Sequence, residues 1–196
     1  MPTRPPTELI VIGASAGGVA ALLALLRPLP AGFALPIVAV LHLLARHESQ
    51  LGAVLSHRLA LPVREPQDKE PVRAGAVYVA SADYHLLIEA DRNFAFSSEP
   101  PVSFARPSID VLMTSAADAY GPAVAGLLLT GANMDGAEGM AAIQARGGLT
   151  IVQHPGDAEV ATMPEAAIAR CRPDHILNLK DMPSVLMNLA TTGHAA

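Results

Sequence analysis

From Leu9 to Leu26 the chain carries no charged residue, and Gly13, Gly17 and Gly18 divide that run into two unlike halves. Leu9-Ile10-Val11-Ile12 is short and β-branched, as a strand buried on both faces would be. Val19 to Leu26 is rich in Ala and Leu, which suits a helix. An unbroken apolar stretch of this length would be a membrane-span candidate, but the glycines and the change of character favour strand, turn and helix. A signal peptide is disfavoured because Glu8 abuts the run and no basic segment leads into it. A strand that hands over to a helix through a tight glycine turn is the opening unit of a parallel α/β sheet.

The same alternation recurs along the chain. Further strands are predicted at 36–41, 123–130, 149–153 and 175–179, and helices at 17–27, 48–59, 108–120, 134–146, 164–170 and 182–189. Residues 75–80, 84–90 and 93–96, bounded by turn residues such as Ser81, Asp83, Asp91 and Asn93, are predicted to form an antiparallel meander. The expected fold is a single α/β domain over 8–190, a doubly wound, mostly parallel, Rossmann-like three-layer sheet with a small antiparallel excursion. Residues 1–7 and 191–196 are expected to be a flexible arm and tail. With 51% hydrophobic and 16% charged residues in 196, the chain can bury a sizeable core and does not read as disordered. A net charge of −5 without a Lys/Arg cluster argues against nucleic-acid binding. Cys171 is the only cysteine, so no intrachain disulfide can form, and a reduced, cytoplasmic setting is expected.

The first strand-to-helix turn, Gly13-Ala14-Ser15-Ala16-Gly17-Gly18, sits where two chemistries are found. A dinucleotide site needs G-x-G-x-x-G, but Ser15 occupies the second glycine position and no acidic residue follows about 20 residues on. The alternative G-x-S-x-G is complete at Gly13, Ser15 and Gly17, and it raises a serine hydroxyl beside free helix N–H groups. Against this stands a serine that merely caps the helix.

A nucleophilic serine needs a base and an orienting acid, and in an open parallel sheet the residues just past the strand ends converge on one edge. His42 directly follows the second predicted strand, and His154 follows the strand at 149–153 as its competitor. His47 and His57 fall in or beside a helix and His85 within the meander, while His175 and His194 have no positional claim. Asp135 lies in the turn after the strand at 123–130, with capping of the following helix as its alternative role; Asp110 and Asp118 are expected to be surface groups. His47-Glu48 begins like the zinc motif H-E-x-x-H, but Leu51 stands where the second histidine belongs. No metal and no cofactor are expected. Ser15, His42 and Asp135 emerge as a candidate triad.

These segments resemble a known family. Ile10-Val11-Ile12-Gly13-Ala14-Ser15-Ala16-Gly17-Gly18, Leu41-His42 and Leu129-Thr130-Gly131-Ala132-Asn133-Met134-Asp135-Gly136-Ala137-Glu138-Gly139-Met140 are similar to the catalytic domain of CheB-type chemotaxis protein-glutamate methylesterases. Gly75-Ala76-Val77-Tyr78-Val79-Ala80, Tyr84-His85-Leu86-Leu87 and Arg106-Pro107-Ser108-Ile109-Asp110-Val111-Leu112 extend the match, which runs from about Glu8 to Leu189. The resemblance implies hydrolysis of glutamate γ-methyl esters on cytoplasmic helices of methyl-accepting chemotaxis receptors, with release of methanol, and in some members deamidation of receptor glutamines. It implies Ser15 as nucleophile, His42 as base and Asp135 as orienting acid. The backbone N–H groups of Ala16 and Ala132 are expected to face the oxyanion. Tyr84 and Arg106 are candidate groove residues, with packing and salt-bridge roles as their alternatives.

The sequence departs from the family pattern at three places. Ala16 replaces a usual threonine, Leu43-Leu44 follows His42 where Met-Pro is usual, and Ala132-Asn133 replaces Met-Gly. Only eight residues precede the first predicted strand, too few for the receiver domain that most members carry, so the expectation is a stand-alone member or an excised domain. Three other readings stay open: a non-catalytic adaptor of the same fold, a nucleotide-binding module using the glycine turn, and a serine esterase or amidase with another substrate.

Overall fold

The computed structural model describes residues 4–42 and 48–192, so His47, His194 and the Leu43-Leu44 departure lie outside the described residues. Nine strands and six α-helices are found among them: β1 (Leu9–Ala14), α1 (Gly18–Leu26), β2 (Ile37–Leu41), α2 (Glu48–Ser56), β3 (Val63–Arg64), β4 (Val77–Val79), β5 (His85–Ile88), β6 (Phe94–Ser97), α3 (Ile109–Tyr120), β7 (Val124–Leu128), α4 (Ala137–Ala145), β8 (Leu149–Gln153), α5 (Thr162–Arg170), β9 (His175–Leu177) and α6 (Met182–Thr192). Seven strands form one sheet in the order β3-β4-β2-β1-β7-β8-β9, every pair parallel.

Both faces of the sheet are covered, which is why its central strands are apolar at every position. In β1, Ile10, Ile12 and Ala14 join a core with Leu22, Leu25 and Leu26 of α1, Leu55 of α2 and Leu186 of α6. Leu9 and Val11 enter the opposite core with Leu112 and Met113 of α3, Met140 and Ile143 of α4 and Met163 of α5. Period-two alternation thus feeds two apolar layers instead of one apolar and one wet face.

The predicted meander is corrected. Residues 77–79 form a parallel strand of the main sheet, hydrogen-bonded between β2 and β3. Only β5 and β6 pair antiparallel, as a separate hairpin packed on the second core through Leu86, Ile88 and Phe94. Val63–Arg64, a two-residue edge strand, was not anticipated, and α4 begins at Ala137 because Met134 to Gly136 form a turn closed by Ala137 N–H to Met134 O.

The centre of the sheet positions everything that follows. β1 lies between β2 and β7, so the chain leaves it to one side first and returns on the other, the arrangement that opens a crevice at the strand C-termini.

Candidate active site

Ser15, His42 and Asp135 follow β1, β2 and β7, three adjacent strands whose C-terminal ends share that crevice. Backbone hydrogen bonds tie the loops beyond the strands: Ser15 N–H donates to Thr130 O (2.9 Å), and His42 N–H to Ala14 O (3.1 Å). The Thr130 hydroxyl lies 2.9 Å from Ala16 O and accepts from Val160 N–H, so the glycine turn is braced against the loop after β7.

Gly17 takes the left-handed conformation (φ 75°) and is the N-cap of α1, with no side chain capping the helix. Ser15 therefore does not act as the cap. Its carbonyl accepts from Gly18 N–H, while its hydroxyl has no hydrogen-bond partner among the described residues. A cavity of about 330 Å³ is lined by Ser15, His42, Asn133 and the segment 103–107.

His42 Nε2 lies 2.8 Å from Asp135 Oδ2, and the His42 side chain is 14% exposed against 0% for Asp135. Asp135 is held from several directions at once. Its Oδ1 accepts from the Ser108 hydroxyl (2.8 Å) and Asp110 N–H (3.0 Å), and Oδ2 accepts from Ile109 N–H (2.7 Å) as well as from His42. Burial alone would raise this carboxyl, but the hydrogen bonds from His42, Asp110, Ile109 and Ser108 outweigh it and hold the acid below the usual carboxylate range. An ionised Asp135 fixes the proton of His42 on Nε2, which leaves the lone pair on Nδ1.

Asn133 fills the space at that lone pair. Its Oδ1 accepts from Asp135 N–H (3.3 Å), which orients the amide, and its Nδ2 then points at His42 Nδ1, 3.3 Å away. Nε2 is thus the nitrogen that faces the carboxylate and Nδ1 the one that faces Asn133, the reverse of the ring orientation in the chymotrypsin triad.

The carboxylate of Asp135 does not cap α4, the helix that follows it, as its alternative role required. It caps α3, and Asp110 of α3 returns the bond: Asp110 Oδ1 accepts from Gly136 N–H (2.8 Å) and Gly139 N–H (2.7 Å) at the start of α4. Two helix N-termini exchange carboxylates, each satisfying orphan N–H groups of the other. Asp110 is correspondingly not a surface group; it is 9% exposed. Burial, reinforced by the Asp135 charge and opposed by the Gly139 and Gly136 N–H groups, pushes its carboxyl up to about 6.

Sequence reasoning also missed the support behind Ser108. His85 is buried, with Nε2–H donating to Pro100 O (3.1 Å) and Nδ1 accepting from Ser108 N–H (3.2 Å). A chain of bonds runs from the hairpin through His85 and Ser108 to Asp135 and His42. His154 does not compete for the role of base: it is exposed, and its Nδ1 accepts from Gly156 N–H within its own turn. His57 and His175 are exposed too. Of the two groove candidates, Arg106 lines the cavity while donating to Ser98 O and Glu99 O. Tyr84 is not among the lining residues; it packs edge-on against Phe96. The N–H groups of Ala16 and Ala132 donate to no described acceptor.

A serine in a strand-to-helix turn, sharing a cavity with a part-buried histidine that is bonded to a fully buried aspartate, is a hydrolase-type arrangement built on an open parallel sheet. The CheB methylesterase family model matches residues 10–186, and the chain belongs to that family. It is 43% identical over 182 residues to a Leptospira interrogans protein provisionally named protein-glutamate methylesterase/protein-glutamine glutaminase, covering 93% of this chain and 94% of that one. It is 40% identical over 182 residues to protein-glutamate methylesterase/protein-glutamine glutaminase 2 of Anaeromyxobacter dehalogenans, where it spans 53% of the relative's length. The crystal structure of the Thermotoga maritima CheB methylesterase catalytic domain superposes with a TM-score of 0.89 at 30% identity, covering 93% of this chain and 98% of that one.

Proposed function

We propose that the protein is a serine hydrolase that removes methyl groups from glutamate γ-methyl esters on cytoplasmic helices of chemotaxis receptors. The observation that carries this reading is the 2.8 Å His42–Asp135 hydrogen bond, made to a fully buried carboxylate by an imidazole that lines the same cavity as Ser15. Among the described residues no helix is long and apolar enough to cross a membrane, and the proposed place of action is the cytoplasm.

Ser15 Oγ attacks the ester carbonyl carbon as its proton passes to His42 Nδ1. For this the Asn133 amide gives up its contact with Nδ1, and Asp135 balances the imidazolium through Nε2–H. The tetrahedral oxygen accepts from the Ala16 and Ala132 N–H groups, donors of a kind worth about 3 kcal/mol each in a barrier. When the C–OCH₃ bond breaks, His42 Nδ1–H protonates the leaving oxygen and methanol departs. Water then attacks the glutamyl-Ser15 ester, His42 takes its proton, and the glutamate carboxylate and free serine are restored. Reaction at a receptor glutamine follows the same path with ammonia as the leaving group, and the paired names of the relatives support that second activity.

The test is methanol release from a methylated receptor cytoplasmic fragment. Ser15→Ala is expected to fold normally and to lose at least about a thousandfold in rate; turnover retained in that variant would remove the serine mechanism.

A further inference from the structure

The cavity beside Ser15 has an unusual wall. Val102 and Ala105 pair antiparallel, with Val102 N–H to Ala105 O at 3.1 Å and Ala105 N–H to Val102 O at 2.9 Å. Ser103 and Phe104 are the two residues of the turn between them, both at positive φ (50° and 64°). A two-residue turn of this hand favours Asn-Gly, because a side chain at positive φ collides with its own backbone, the more so a bulky one. Phe104 is the wrong residue for such a turn on local grounds.

Packing does not account for it. Phe104 is fully exposed, at 105% of its reference area. A large ring held in a strained backbone and wholly in water is favourable for neither stability nor solubility, and strain of this kind gathers where it serves a site. The turn is anchored nearby by Arg106, which donates to Ser98 O and Glu99 O. Phe104 itself lines the cavity with Ser15 and His42. Asn133 lines it as well, and the next residue, Met134, is 68% exposed.

We infer that Phe104 is a substrate-docking residue, an apolar finger that packs on the side of the receptor helix carrying the ester and holds that helix over Ser15. This rests on the receptor-helix reading above and specifies how the helix is held. An esterified glutamate on a helix presents its γ-carbonyl one side chain's length from the helix surface. An enzyme that acts on it has to grip the helix beside the ester without burying it, and an exposed ring at the cavity mouth is placed to do that. Small reagents that enter the cavity do not reach the ring's outer face.

The experiment compares wild type with Phe104→Ala, Phe104→Gly and Phe104→Leu in two assays: methanol release from a methylated receptor fragment, and covalent labelling of Ser15 by a small fluorophosphonate. The Ala and Gly variants are expected to raise KM for the fragment tenfold or more with kcat little changed, and to label within twofold of wild type. Leu should recover part of the loss in KM. Phe104→Gly should also melt at a higher temperature than wild type, because glycine relieves the left-handed backbone. Unchanged KM in all three variants, or equal losses in both assays, overturns the docking role while leaving the hydrolase reading intact. A wild-type enzyme that labels at Ser15 but releases no methanol from the fragment overturns the receptor-helix reading, and the docking role with it.

Discussion

At the residue scale the site is governed by two carboxylates that sequence spacing gives no reason to bring together. Asp135 faces His42 and also caps α3, while Asp110 caps α4. Their titrations run in opposite directions. Asp135 is held low, so the stability it contributes is present above the ordinary carboxylate pKa and is lost as the pH falls through its folded value. Asp110 is raised from 3.8 to about 6, so its favourable contribution is present at pH below 4 and is lost as the pH rises through 6. Asp110→Asn keeps an oxygen for the Gly136 and Gly139 N–H groups and removes that titration. Measured by urea denaturation, the variant should gain on wild type between pH 4 and pH 7, by up to about 3 kcal/mol; parallel pH profiles would contradict the assignment. That Ser15, His42 and Asp135 come to one crevice was readable from the sequence because each follows a strand of one parallel sheet. Asp110, Ser108 and His85 were not, since their roles depend on how two helices and a hairpin meet. The only sequence signals for them were the Tyr84–Leu87 and Arg106–Leu112 segments, which the family resemblance picked out without assigning a role to these three residues.

At the element scale the exchange of caps requires α3 and α4 to approach closely at their N-termini, and Gly139 is what permits it. A Cβ there would lie 2.5 Å from Met113 Cβ and 3.2 Å from the Asp110 Cα, atoms that cannot swing aside as a side-chain tip can. Gly139→Ala is expected to cost about 1–3 kcal/mol by overpacking and to lower methanol release in the folded enzyme, since the Gly139 N–H that holds Asp110 moves with the helix. Denaturation and activity measured on the same preparations check both halves, and an active variant of undiminished stability would contradict the close approach. Long periodic elements such as α3, with Ser108 as its cap, and β8 were predicted to within a residue. The segment 75–80 was misjudged because a three-residue β-branched strand carries no mark of its direction; pairing with β2 and β3 sets that. The two-residue β3 is too short to show a period.

At the scale of the whole molecule, the order β2-β1-β7 brings three distant segments to one crevice, and the ladder bonds beyond the strand ends hold their loops in register. Both cores flank those three strands, so the crevice stands on strands buried on both faces. Catalytic geometry is thereby set by the sheet and only refined by loops such as 103–107. What the sheet is proposed to achieve is an activated hydroxyl, and that property can be read without any receptor. Wild-type protein treated with a fluorophosphonate should gain one adduct per chain, located on Ser15 by peptide mass spectrometry, and His42→Ala should gain none on the same timescale. A wild-type chain that stays unlabelled at Ser15, or one that labels equally fast without His42, would contradict the account.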